Sequence, residues 1–348
     1  ADLGDEPSYR PLARRLGRLL LPEGVLDRGD RLVIVPDGIL HYVPFETLIH
    51  PGPEEGRPER FLLEEHEIAY TPSASALRLL RAPRAAAVAS PQAFLALGDP
   101  ANEGPAAGIG ALVPLPFARH EVQKIGALFP PGRRNVLVGA EATEDAMKSA
   151  DLESIRFLHF AAHAEMDEEA PGRSGIALAP TPDGEEDGLL QMGEIFGLRL
   201  RADLAVLSAC GTGRGRLARG EGLTGLTNAF LYAGARAVVV SLWSVSDRTT
   251  SDLMLAFYHG LLSGATPAGA LRAAKLALLR SGSADERHPS RWAPFVLIGD
   301  PGDGTRTERS TGPRRADDGE PSRAAADSTR QRAPCGRRPA GQRRRAEG

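Results

Sequence analysis

Three short apolar runs between residues 155 and 243 each end at a small or polar residue and break at once into a turn. Leu204-Ala-Val-Leu207 passes through Ser208 and Ala209 to Cys210 and then to the glycine-rich Gly211-Thr-Gly-Arg-Gly215. Ile155-Arg-Phe-Leu-His-Phe-Ala161 stops at Ala162-His163-Ala164, and Ala237-Val-Val-Val-Ser-Leu-Trp243 closes at Ser244-Val-Ser-Asp247. Apolar runs of this length bounded by turn signals fit strands buried on both faces, as in a parallel sheet, and not the alternating pattern of a half-wet one. Comparable runs recur at Leu32–Val35, Phe94–Leu97 and Trp292–Ile298. Helical stretches separate several of them, so the expected fold class is α/β, with helices layered on a mostly parallel sheet. In such sheets reactive groups collect just beyond the carboxyl ends of the strands, where Cys210, His163 and Asp247 all fall.

The intervening segments read as follows. Tyr9, Leu12, Leu16, Leu19 and Leu20 recur at helical spacing until Pro22 and Gly24. Phe61 to Tyr70 alternates roughly, as an edge or connecting strand would. Ser73 is placed to cap a helix running through Leu80, and Thr143 another, with Asp145 in its first turn complementing the helix dipole. Further helices are expected from Arg119 to Phe129, around Met192 to Phe196, from Leu223 to Tyr232, and over 249–262 and 267–280. Beyond Pro301 the apolar pattern disappears. Residues 303–348 are dominated by Arg, Ala, Gly, Pro, Ser and Asp, a composition that cannot offset the entropy of ordering, and they are expected to be a disordered tail. The organisation expected is thus an N-terminal half over 1–135, a second half carrying the chemistry over 136–302, and the tail.

Composition narrows the function classes. The 348 residues are 42% apolar, enough for a sizeable core, and the net charge is only −3. That balance argues against nucleic acid or an anionic membrane as a global partner, and specific nucleic-acid binding is not expected. No apolar stretch reaches the ~18–20 residues of a membrane span, and no basic start followed by an apolar segment marks a secretory leader. There are two cysteines, Cys210 and the tail residue Cys335, so a structural disulfide is not expected and a reducing, cytoplasmic setting is.

A cysteine after an apolar run is either core filler or a nucleophile, and as a nucleophile it needs a base close by. Of the eight histidines, His163 alone lies, like Cys210, just past a buried strand. If the two strands are neighbours, thiol and imidazole share a rim. His159, within its strand, reads as a satisfied core histidine. Ser246 and Asp247 at the third strand end, and Asp252 nearby, are acids and a hydroxyl suited to a cationic substrate side chain. The plain alternative for Asp247 is a helix cap. Gly211-Thr-Gly-Arg-Gly215 imitates a phosphate loop but lacks the Lys-Ser/Thr ending and the dinucleotide glycine spacing. No Cys/His cluster has zinc spacing, so neither metal nor cofactor is expected.

The ordered set of short motifs resembles a CHAT domain, the caspase-like peptidase domain related to separases, over about residues 8–302. The resemblance rests on Val35-Pro-Asp-Gly38, Val43-Pro-Phe-Glu46, Tyr70-Thr-Pro-Ser-Ala-Ser75, Leu158-His-Phe-Ala-Ala-His163 and Leu207-Ser-Ala-Cys-Gly-Thr-Gly213. It continues through Gly220-Glu-Gly222, Ala233-Gly-Ala235, Val240-Ser-Leu-Trp-Ser-Val-Ser-Asp247, Trp292-Ala-Pro-Phe295 and Gly299-Asp300. Ser208-Ala-Cys-Gly-Thr also keeps the Ala-Cys-Gly centre of the caspase signature, with a histidine 47 residues upstream. The resemblance implies a three-layer α/β/α sandwich and a cysteine endopeptidase with Cys210 as nucleophile and His163 as base. It also implies an oxyanion hole from the amides of Ala164 and Cys210, and an acid at Asp247 favouring Arg or Lys before the scissile bond. The implied partners are a protein or peptide substrate and an activating partner or upstream repeat domain. The alternative implied is a module of low or no activity serving as a signalling scaffold. Where the family has glycine after the histidine, this chain has Ala164, whose methyl would tilt the amide if the turn needs positive φ.

Overall fold

A computed structural model describes residues 9–21, 26–27, 29–49, 59–84, 93–101, 115–165, 170–181, 186–208, 221–243, 245, 247–280 and 283–303. Helix α1 (Tyr9–Leu20) buries Ala13 and Gly17 and leaves Leu12 and Leu19 exposed. Strand β1 (Arg31–Ile34) and two 3-10 turns, Gly38–Tyr42 and Phe45–Thr47, follow. The stretch expected as one strand from Phe61 to Tyr70 divides into a helical turn, α2 (Leu62–Glu65), and β2 (Glu67–Tyr70). The cause is local: the Glu64 carboxylate accepts the Phe61 N–H at 2.8 Å, satisfying an amide at the start of the turn. Ser73 caps α3 (Ala74–Leu80), its hydroxyl accepting from the Ala76 N–H at 3.0 Å.

Next come β3 (Phe94–Pro100), α4 (Pro116–Ala127) and β4 (Arg134–Gly139). Helix α4 starts earlier than its apolar spacing suggested because Pro116 suits a first helical turn. Thr143 caps α5 (Glu144–Lys148) at 3.1 Å. Then come β5 (Phe157–Ala161), β6 (Ala164–Glu165), β7 (Gly175–Ala177), β8 (Leu189–Gln191), α6 (Met192–Gly197) and β9 (Leu204–Leu207). Helix α7 (Glu221–Ala233) ends at Gly234, whose φ of +119° and approach to the Leu200 carbonyl leave no room for a Cβ. The chain closes with β10 (Ala237–Ser241), α8 (Asp247–Leu262), α9 (Pro267–Leu279), the turns α10 (Ala284–Arg287) and α11 (Pro289–Trp292), and β11 (Phe295–Gly299). Trp292, expected to open the last strand, instead ends a helical turn and is fully buried. The expected tail lies outside the described residues from 304 onward.

Eight strands form one sheet in the order β1-β2-β11-β10-β9-β5-β3-β4. Every pairing in it is parallel except β10 with β11. The antiparallel joint turns β11, β2 and β1 against the other five strands. Strands from both halves of the chain therefore share one sheet. Side chains alternate between two cores. Leu158, Phe160, Leu207, Val238 and Val240 meet Leu226 and Phe230 of α7 on one face. Phe94, Val206 and Val239 meet α4, α8 and α9 on the other. β6, β7 and β8 form a second, three-stranded antiparallel sheet. Its strands are two or three residues long, below the length at which alternation shows in a sequence.

Candidate active site

Strand β5 lies beside β9, parallel and in the register Phe157↔Leu204 to Phe160↔Leu207. The Ser208 N–H continues the ladder by donating to the Phe160 carbonyl at 2.9 Å. His163 follows Phe160 by three residues, and Cys210 follows Leu207 by three. The neighbour relation on which the sequence argument turned is therefore present, on two strands about 4.8 Å apart. Cys210 itself lies outside the described residues, as do Ser246 and the side chain of Asp247.

His163 is buried, and its backbone is fixed. Its carbonyl accepts the Ala177 N–H from β7 at 2.8 Å. That bond makes Ala164↔Ile176 a non-hydrogen-bonded antiparallel pair, so Ala164 turns its own N–H away from β7. Ala164 is not among the positive-φ residues of the described chain; Asp99 alone of the non-glycines is. The expectation that the methyl of Ala164 would tilt its amide therefore loses its premise: the residue starts a strand that alanine adopts without strain.

The third strand end is held differently. Leu242 donates its N–H to the Pro294 carbonyl at 2.9 Å, the Ser241 hydroxyl donates to the Trp243 carbonyl at 2.5 Å, and the Trp243 indole donates to the Ser290 carbonyl at 3.2 Å. The Trp292-Ala-Pro-Phe295 segment, a motif without a role in the sequence reading, thus anchors the exit of β10. Ser290 and Pro294 were missed there because they act through backbone carbonyls, which leave no trace in residue type. Asp247 is the first residue of α8, one position inside the helix from the cap that its plain alternative expected. Asp252 is exposed in a cleft between α4 and α8 with Phe117, His120, Lys124, Arg248 and Ser251, so its surroundings are mainly basic.

Two further polar clusters, one sealed in the core and one partly exposed, tie elements together. His159 is the core histidine expected: its Nε2 lies 2.8 Å from Glu121 of α4 and its Nδ1 3.1 Å from the Tyr258 hydroxyl of α8. Burial, with Glu121 adding to it, pushes the Tyr258 hydroxyl above its ordinary range. Beside the small sheet, Lys148 Nζ is 2.7 Å from a carboxylate oxygen of each of Glu144, Glu186 and Glu194. Burial raises the Glu144 carboxyl from 4.5 to about 7, against the pull of Lys148 and with Glu194 adding to the rise. These three carboxylates are the one group among the described residues with metal-ligand proximity, and the lysine ammonium already serves all three.

The CHAT domain family model matches residues 10–300. Tetratricopeptide repeat protein 28 of Mus musculus is 28% identical over 320 residues, covering 81% of this chain, and the Homo sapiens protein of the same name gives the same figures. The chain spans only 12% of the length of these two relatives. Among solved structures, the Saccharomyces cerevisiae separase–securin complex aligns over 78% of this chain and 16% of that one, with a TM-score of 0.52 at 14% identity. That likeness speaks for the caspase-like α/β fold. With the family model matched from one end of the described fold to the other, the chain belongs to the CHAT domain family.

Proposed function

We propose that this chain is a cysteine endopeptidase in which His163 acts as general base toward Cys210. The observation that carries the reading is the parallel β5–β9 pairing, with His163 and Cys210 each three residues along the sequence from its last registered pair, Phe160↔Leu207. In the proposed cycle the imidazole of His163 takes the thiol proton and the sulfur bonds to the scissile carbonyl carbon. The oxyanion accepts hydrogen bonds from the amides of Ala164 and Cys210. Collapse breaks the C–N bond, the leaving amine takes the proton from His163, and a water activated by the same imidazole hydrolyses the thioester. General acid–base help of this kind is worth ~10²–10⁴ in rate, and each oxyanion donor ~10²–10³. The outward N–H of Ala164 supports its part.

Asp247, with Ser246 and Asp252 nearby, is proposed to favour Arg or Lys before the scissile bond. A reducing, cytoplasmic setting would keep the thiol reduced. The names of the curated relatives support regulation by tetratricopeptide repeats or another activating partner. They also favour the second reading, a scaffold of little activity, since those names record repeats and no peptidase. The test is labelling with a chloromethyl ketone carrying arginine at its reactive end, read by mass spectrometry. The proposal expects one adduct on wild type and none on Cys210→Ala; equal labelling of both would overturn it.

A further inference from the structure

Two N-terminal motifs, Val35-Pro-Asp-Gly38 and Tyr70-Thr-Pro72, have no part in the dyad, yet the fold brings them together. Strand β2 pairs with β11 at Tyr70↔Ile298, which sets the end of β2 on the antiparallel wing of the sheet next to β10. Over that wing lies a cavity of about 40 Å³ between the sheet and α7. Pro36 and Pro72 from the two motifs form one wall, and Val296 and Ile298 of β11 form its floor. Small polar residues of α7, Thr224 and Asn228 one turn apart, form the other wall. They leave the space open where larger apolar residues would fill it.

The position of this cavity ties it to the candidate site. Leu242, the first residue past β10, lines it, so the cavity shares the third strand end. Thr224 lies in the first turns of α7, the helix that directly follows the segment carrying Cys210. Because β11 runs against β10, Leu242 and Val296 lie at the rim end of the cavity and Tyr70 and Ile298 toward the start of β10, so the cavity runs along the sheet face away from the third strand end.

Its chemistry limits the occupant. The walls are mostly carbon, and the Tyr70 hydroxyl is already engaged, accepting from the Phe45 N–H at 2.8 Å and donating to Glu46 at 2.5 Å. The lining holds no carboxylate, lysine or arginine, so an ionised side chain would lose its hydration there without a counter-charge, which is costly. A single water needs roughly 10–15 Å³ measured this way, so the space suits about three or four carbon atoms and excludes an aromatic ring. Ile39, in the 3-10 turn that also supplies His41 to the lining, is 79% exposed and extends the apolar approach.

We infer that this cavity is a subsite for one aliphatic side chain, of valine, leucine or proline size, on the peptide substrate. The inference rests on the peptidase reading for what the peptide is, but its test does not need turnover. The Cys210→Ala chain is titrated by fluorescence anisotropy with fluorescein-labelled hexapeptides that carry one arginine and have Leu, Ala, Asp or Trp scanned through the remaining positions. The expected result is one position at which Leu binds ~10-fold more tightly than Ala, Asp or Trp. Asn228→Trp, which fills the cavity from the helix, should reduce that ratio to near 1, and the milder Asn228→Leu should reduce it part of the way. Thermal unfolding of each variant shows that the loss is not one of folding. Absence of any such position, or a ratio that survives both substitutions in folded protein, overturns the inference. If the preference is found while wild type neither cleaves nor is labelled, the peptidase reading fails and the subsite stands.

Discussion

His159 and His163 sit four residues apart on one strand and its exit, yet the fold gives them opposite circumstances. His159 is inside β5, sealed between α4 and α8, with both ring nitrogens committed to Glu121 and Tyr258. His163 is past the strand end, on the rim where β9 also ends, with its backbone fixed by β7. The residue type and the apolar flanks are the same. What differs is the distance from the strand end, which decides whether an imidazole ties helices together inside the sheet or lies at its rim.

The comparison is most sharply tested by exchanging the two losses. His163→Ala should lower peptidase activity by ~10²–10⁴-fold with the unfolding midpoint nearly unchanged, measured with an arginyl fluorogenic peptide and urea titration. If activity survives, His163 is not the base. Glu121→Ala should do the reverse, costing about 3 kcal/mol of stability because it strands a buried partner, with the dyad chemistry intact below the new midpoint. Loss of activity without loss of stability would mean that the sealed network also serves the rim.

A smaller effect contrasts the two buried carboxyls, Glu121 and Glu144. The folded chain raises the Glu144 carboxyl to about 7, so it retains a proton that the unfolded chain releases above the ordinary value of 4.5. Its stabilising contribution is complete below that ordinary value and fades as the pH rises through about 7. Glu144→Gln should therefore gain on wild type between pH 5.5 and 8, by on the order of 1 kcal/mol in urea unfolding. No pH-dependent difference would place the charge elsewhere in the Lys148 cluster. The smallest change is expected from Ala164→Gly. Because Ala164 is already in extended backbone, kcat/KM should move by less than about threefold, and a tenfold gain would show that the methyl does obstruct the amide.

Much of this was legible in the amino-acid order. The strands carrying His163 and the cysteine segment are short, uniformly apolar and stopped by turns, and they are buried on both faces as that pattern demands. Ser73 and Thr143 cap their helices as their hydroxyls predict. The stretch from Phe61 to Tyr70 misled because a side-chain cap on Phe61, not the alternation, governs its first half. The pairing of β6 and β8 onto β7 behind Ala164 was not legible because it joins segments of two or three residues. The roles of Ser290 and Pro294 were hidden because carbonyl oxygens are common to every residue.

The sequence by itself determined the element types, the two candidate partners of the dyad and the motifs of the CHAT family, since each depends on local spacing or residue chemistry. Only the tertiary structure decided which strands are neighbours. It put β5 beside β9, reversed β11 against β10, and joined two N-terminal motifs to α7 around one cavity. Strand order follows from how helices on two faces share a core, and that is a property of packing between distant segments that no local window of the chain contains.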